Sequence, residues 1–292
     1  MSNKKVSYIA PIRNLNFKLK GFEQNDINFV FDEKHNITLK LFSYHDDIES
    51  INADSFSTYD RSSLNFHPYA FYFRCKKEEV ENKKLLINLI LLSFRIFKKA
   101  DCNSKYILCL TDTFYSIKYN ESWKIADVDS KSATILNEGD IQEIITGYKK
   151  LKLFYNLSNR TKHSVQFFYL GYTSYHWMQA FALFMISLET LVSPTTEEQI
   201  TKTIINRTRN LINNPKICSK NIINNLYQLR SDITHGRILI DLSFKDHIND
   251  MSRLQNMAIK AFEIVLSLNF KKYYKNEQSK EEFFRKLEKN NY

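Results

Sequence analysis

The sequence predicts a mixed α+β domain over residues 1–137, followed by an all-α helical bundle over residues 138–292. Three observations carry this. Before residue 137 several short runs alternate apolar and polar residues, the period of a half-buried strand; after it apolar residues recur every three to four positions, the period of a helix face. Only 5 glycines and 4 prolines occur in 292 residues, which argues against a loop-rich β-sandwich or a flexible linker and for long helices. Hydrophobic residues form 43% of the chain and aromatic residues 14%, enough to fill two cores.

The elements follow in chain order. Asn36–Phe42 alternates apolar and polar residues as a strand with one buried face. Tyr69–Cys75 and Tyr106–Leu110 are short β-rich runs, and Thr113–Tyr119 alternates again. Between them Glu78–Lys99 reads as one long helix. Glu78, Glu79 and Glu81 open it, Lys98 and Lys99 close it, and each charge sits where the helix dipole favours it.

In the second half, Gly139–Asn156 carries Ile141, Ile144, Ile145, Tyr148, Leu151 and Phe154 on one helical face. His163–Tyr172 is a second helix. Ser174 is read as the cap of a third, Tyr175–Val192, stopped by Ser193-Pro194. Thr195–Glu198 offers a capping box for a fourth helix, which holds Arg207 and Arg209 and stops near Asn213-Asn214-Pro215. Ser219 opens the helix that delivers Tyr227, Arg230 and His235. Ser243 starts a long helix reaching Phe270, and Ser279–Asn290 reads as a loosely attached amphipathic helix with a Ser-x-x-Glu start.

The segment with the most direct chemistry is Arg230-Ser231-Asp232-Ile233-Thr234-His235-Gly236. An arginine is a permanent cation that grips phosphate in a planar fork. A histidine takes or gives a proton near neutral pH. The pair is sufficient to cleave RNA without a metal. The same heptad is also what an ordinary helix end looks like, because glycine relieves left-handed backbone strain and histidine complements the dipole.

Composition narrows the partner. A formal net charge of +10 suits a polyanion such as RNA or an anionic membrane surface, and equally a lysine-rich solvated surface. The four cysteines, Cys75, Cys102, Cys109 and Cys218, have no Cys-x2-Cys spacing and no histidine pair to complete a zinc set. They are expected to be reduced, mostly buried thiols. No metal and no cofactor is expected. His45-Asp46-Asp47 lacks partner histidines at suitable spacing, and Asp127-Val128-Asp129 reads as a turn. His163 and His176 read as ordinary helix histidines, and no glycine-rich phosphate loop is present. Residues 1–5 lead into no apolar signal core, and the apolar runs at 85–97 and 180–192 are too short for a bilayer, so a soluble, cytoplasmic protein is expected.

Three stretches then add up to a family. Met185–Leu191, Asn206–Ile212 and Leu226–Gly236, in this order, resemble the Apea-like HEPN domain. The resemblance covers residues 138–292; residues 1–137 resemble no family. It implies an all-helical bundle, homodimerisation and, in many members, metal-independent endoribonuclease activity. Arg230 matches the family's arginine and His235 its histidine. Ser231 departs from the Asn, Asp or His common after the arginine and fits the Apea-like branch. Other members lack activity and act as interaction or nucleotide-binding modules, so this alternative stands beside catalysis.

Positions five apart on a helix are rotated by roughly 140°, so Arg230 and His235 do not face the same way on a continuous helix. Either the helix frays at Thr234–Gly236, or two copies pool their residues around a two-fold axis. The second route agrees with the resemblance. In such a cleft His235 deprotonates the ribose 2′-hydroxyl and Arg230 holds the scissile phosphate. Ser231 or Asp232 orients the imidazole or the phosphate. Arg207, Arg209 and Arg237 are candidate contacts to the RNA backbone, and Tyr227 is a candidate base-stacking ring. Each also reads as a plain helix-face or packing residue. Glu189 reads as structural, the partner of a bundle arginine. Residues 1–137 are expected to sense a trigger, bind a regulatory protein, restrain the second half or select its RNA.

Overall fold

A computed structural model describes residues 5–13, 17–19, 27–42, 69–100, 102–104, 106–110, 115–118, 134–174, 176–194, 200–238 and 244–290. The first half forms strands β1 (Val6–Arg13), β2 (Phe17–Leu19), β3 (Asn28–Asp32), β4 (Ile37–Leu41) and β5 (Tyr69–Cys75). Helix α1 (Val80–Lys98) follows, then β6 (Asn103–Ser104), β7 (Tyr106–Leu110), β8 (Tyr115–Lys118) and β9 (Thr134–Leu136). The rest is helical: α2 (Glu138–Tyr155), α3 (Asn159–Thr173), α4 (Trp177–Val192), α5 (Ile200–Ile212), α6 (Lys220–Thr234), α7 (Phe244–Ser267), α8 (Phe270–Tyr273) and α9 (Glu277–Asn290).

A seven-stranded antiparallel sheet has the order β3-β4-β5-β1-β7-β8, with β6 also on β1. β2 and β9 pair separately, in parallel. The expected strands 69–75 and 106–110 coincide with β5 and β7, and β4 lies within 36–42. β1 was not predicted, for a physical reason. It is a central strand between β5 and β7, and Tyr8, Ile9, Ala10 and Ile12 are all buried, so no polar face supplies the period of two.

The two halves meet the chain boundary differently from the expected division at residue 137. The chain forms two compact units, one of residues 1–121 with 130–148, the other of 122–129 with 149–292. Helix α2 therefore begins in the first unit and ends in the second. In the first unit Phe31 packs on Phe71, Phe94 and Tyr148. Asp32 is buried there and answered: the Tyr148 hydroxyl donates to its Oδ2 at 2.5 Å, and the His35 Nδ1 lies 2.9 Å from its Oδ1. Gly147 allows the close approach of α2 to α1, since a Cβ there would run into the Phe97 ring.

The second unit is built on interlocking aromatics: Phe154, Phe168, Phe184, Phe262, Phe270 and Tyr274. α3 and α4 lie close because small residues face each other. The Ser164 hydroxyl donates to the Ser187 carbonyl at 3.0 Å, and the Ser187 hydroxyl returns the bond to the Ser164 carbonyl at 2.7 Å.

Three sequence expectations are corrected here. Ser174 closes α3 rather than opening α4, whose N-cap is His176; the Ser174 hydroxyl donates back to the Leu170 carbonyl at 2.9 Å. The long helix α7 stops at Ser267, and a break at Leu268-Asn269 separates it from α8, which carries Phe270. The last helix is not loosely attached. It starts at Glu277, capped by Asn276, whose Oδ1 accepts the Ser279 amide at 2.8 Å. Its Phe284 is fully buried, and its Glu281 holds Arg207 of α5. The capping box at Thr195–Glu198, Ser243 and part of the run 113–119 lie outside the described residues. All four cysteines are buried, and none is in a disulfide.

Candidate active site

The Arg230–His235 heptad is delivered by α6. The Ser219 side chain accepts the Ile222 amide at 3.2 Å and opens the helix, as the sequence suggested. Ile223, Leu226 and Leu229 form the buried face, which seats α6 against α4 and α5. Arg230 and Tyr227 flank that face.

The helix end is a closed Schellman turn. Gly236 adopts φ +65°, the His235 amide bonds the Ser231 carbonyl, the Gly236 amide the Ile233 carbonyl and the Arg237 amide the Asp232 carbonyl. The last turn is therefore hydrogen-bonded through His235 instead of frayed. Asp232 reinforces it by accepting from Gln228 Nε2 at 3.0 Å and from Arg237 Nη1 at 3.1 Å. His235 sits at the cap, exposed, and among the described residues nothing holds its ring.

Arg230 is engaged. Its Nη2 donates to Glu189 Oε2 on α4 at 3.3 Å, and its side chain is 35% exposed. Tyr227 donates a second hydrogen bond to the same carboxylate. Burial pushes the Glu189 carboxyl above the usual range, while Arg230 and Tyr227 pull it back. Burial, with the Glu189 charge, raises the Tyr227 phenol. Glu189 is thus the bundle partner of an arginine that the sequence suggested, with Arg230 as the arginine.

The other named residues scatter. Arg207 is corrected from a surface contact to a core residue. It is buried, paired with Glu281, stacked 5.0 Å from the centroid of the Phe284 ring, and it donates to the Val192 carbonyl at 3.3 Å. A side chain spent in this way offers no fork to a phosphate. Tyr227 is partly buried and tied to Glu189 by its hydroxyl. Arg209 is half-buried beside Cys218, whose thiol burial pushes up to about 12. Arg237 is exposed and pairs with Asp232, and Ser231 is half-buried with its carbonyl taken by the His235 amide. α6 therefore brings Arg230, Ser231, Asp232, His235 and Arg237 onto one helix end, and leaves Arg207 and Arg209 on α5.

Among the described residues no three His, Cys, Asp or Glu side chains gather as metal ligands, and His45-Asp46-Asp47 and Asp127-Val128-Asp129 lie outside those residues. Among the described residues no helix is long and apolar enough to cross a membrane. Two buried constellations escaped sequence reading: Asp32 with Tyr148 and His35, and Lys280 with Tyr274 and Arg160. Neither leaves a sequence signal, because Asp32 and Tyr148 are 116 positions apart and Lys280 looks like one more surface lysine in a charged helix. Compared with protein-family models, curated proteins and solved structures, the chain finds no match.

Proposed function

We propose that the chain is a metal-independent endoribonuclease of the HEPN kind, an effector in prokaryotic antiviral defence or a toxin-like system. The observation that supports it most is His235: exposed, unpartnered among the described residues and held just past a closed helix end, five positions from a half-exposed Arg230. His235 takes the proton of a ribose 2′-hydroxyl and the 2′-oxygen attacks the adjacent phosphorus. The bond from phosphorus to the 5′-oxygen breaks, and that oxygen leaves with a proton from a second histidine. The products are a 2′,3′-cyclic phosphate and a 5′-hydroxyl. Arg230 stabilises the charge developing on the phosphate, exchanging part of its pairing with Glu189 for the substrate.

The hydrogen-bonded helix end favours the route through two copies, since an unfrayed end does not let His235 swing toward Arg230 on its own chain. In this reading the helical half forms a homodimer, and the first half senses a trigger or a regulatory partner. The net charge of +10 suits the RNA partner.

A second reading has its own observation. The Arg230–Glu189–Tyr227 link gives Arg230 structural employment between α6 and α4, which suits a non-catalytic interaction or nucleotide-binding module. Incubating the purified chain with total cellular RNA in excess EDTA separates the two. Cut ends bearing cyclic phosphate and 5′-hydroxyl support the nuclease, and intact RNA supports the module.

A further inference from the structure

A pocket within the helical unit carries a second proposal, which draws on neither Arg230 nor His235. Its volume is about 30 Å³, and it is lined by Ser158, Arg160, Tyr274, Asn276, Glu277 and Lys280, among others. That holds roughly two waters or one small tetrahedral oxyanion, and no nucleobase.

Three features of the lining point to an anion. The first is a pair of buried polar groups, one of them without a hydrogen-bond partner. Lys280 is 2% exposed and Tyr274 4%; among the described residues Tyr274 Oη makes no hydrogen bond, and Lys280 Nζ is met by the Glu277 carboxylate. A buried phenol left without an acceptor is costly, and a bound acceptor relieves that cost. Lys280 Nζ lies 2.9 Å from Glu277 Oε2, an ion pair along one side of the pocket. Burial pulls the Lys280 ammonium below the ordinary lysine range, with Glu277 and Glu281 opposing that pull and Arg160 adding to it. A bound anion favours the charged form.

The second feature is the charge balance. Arg160 Nε is 3.0 Å from Glu277 Oε1, so in the pocket lining two cations, Arg160 and Lys280, face one carboxylate. Outside the lining, Arg207 is paired with Glu281 and Glu288. The third feature is convergence of two helix N-termini, those of α3 and α9, each equivalent to roughly half a positive charge. Ser158 and Asn276 cap the Thr161 and Ser279 amides, so the termini contribute their dipoles more than their N–H groups. The lining is therefore net positive around a cavity of oxyanion size.

We infer that this pocket binds a phosphate group, either inorganic phosphate or the terminal phosphate of a nucleotide whose base stays outside, with Lys280 and Tyr274 as its buried donors and Arg160 at its rim. Site and ligand are independent of the nuclease reading, and so is the test. The melting temperature of the full chain is followed against potassium phosphate, with potassium chloride at matched ionic strength as the blank. The wild type is expected to show a saturable rise in phosphate. Lys280→Met, similar in length and uncharged, and Tyr274→Phe, which removes one oxygen, are each expected to weaken phosphate binding by about tenfold or more. Should Lys280→Met fail to fold, Tyr274→Phe decides alone. AMP acting at lower concentration than phosphate, with adenosine inert, assigns a nucleotide-borne phosphate; phosphate acting without AMP assigns the free ion. A wild type indifferent to phosphate, or variants that respond as the wild type does, overturns the proposal.

Discussion

Glu189 decides how Arg230 is held, and it makes a test that needs no RNA. Its carboxyl is raised above 4.5 by burial despite Arg230 and Tyr227. Between the unfolded and folded values the native state keeps a proton that the unfolded chain has released. Stability therefore falls as pH rises through that window from about 4.5 upward. Glu189→Gln removes this titration. Urea unfolding at several pH values from 4 to 7 is expected to show the variant gaining on the wild type as pH rises. A gap independent of pH would mean that the carboxyl is not shifted. At this scale the sequence was partly legible. Arg230, His235 and the Gly236 turn could be read because each is local: an arginine, a cap and a left-handed glycine within seven residues. The burial of Arg207 could not be read, because its partner Glu281 is 74 positions away.

The helices were more legible than the strands, and the last helix shows where the local code misleads. Ser279 and Glu282 resemble a start signal, yet the cap is Asn276, three residues earlier, which accepts the Ser279 amide. Asn276→Ala is expected to cost about 1 kcal/mol, and Ser279→Ala only a few tenths, in chemical denaturation. Equal costs would return the start to Ser279. This helix read as loosely attached because one of its buried positions is Lys280, and because Phe283 and Phe284 are adjacent rather than spaced. Strands such as β4 announced themselves by alternation, while β1, buried along most of its length, gave no period to find.

For the whole chain, the change of texture near residue 137 marks where strands give way to helices, whereas the compact units divide within α2, at Tyr148/Lys149. Ile141, Ile144, Ile145 and Tyr148 are buried and belong to the first unit. A fragment of residues 138–292 is therefore expected to stay helical by circular dichroism, with rapid amide exchange confined to its first eleven residues or so. An unfolded fragment would show that the two units fold together. If the chain is the dimeric nuclease proposed here, its mass in solution is about twice 34.7 kDa. In the proposed nuclease, cleavage depends on a general base at a helix end. His235 is exposed and without partners among the described residues, so His235→Ala is expected to change stability by no more than about 0.5 kcal/mol. The deciding measurement is the rate of RNA cleavage by the wild-type chain and by His235→Ala, both in excess EDTA. Cleavage by the wild type that leaves cyclic phosphate ends is expected, with a rate at least about 10²-fold lower for the variant. Equal rates for the two proteins, or activity that EDTA abolishes with 5′-phosphate ends, would contradict the nuclease proposal.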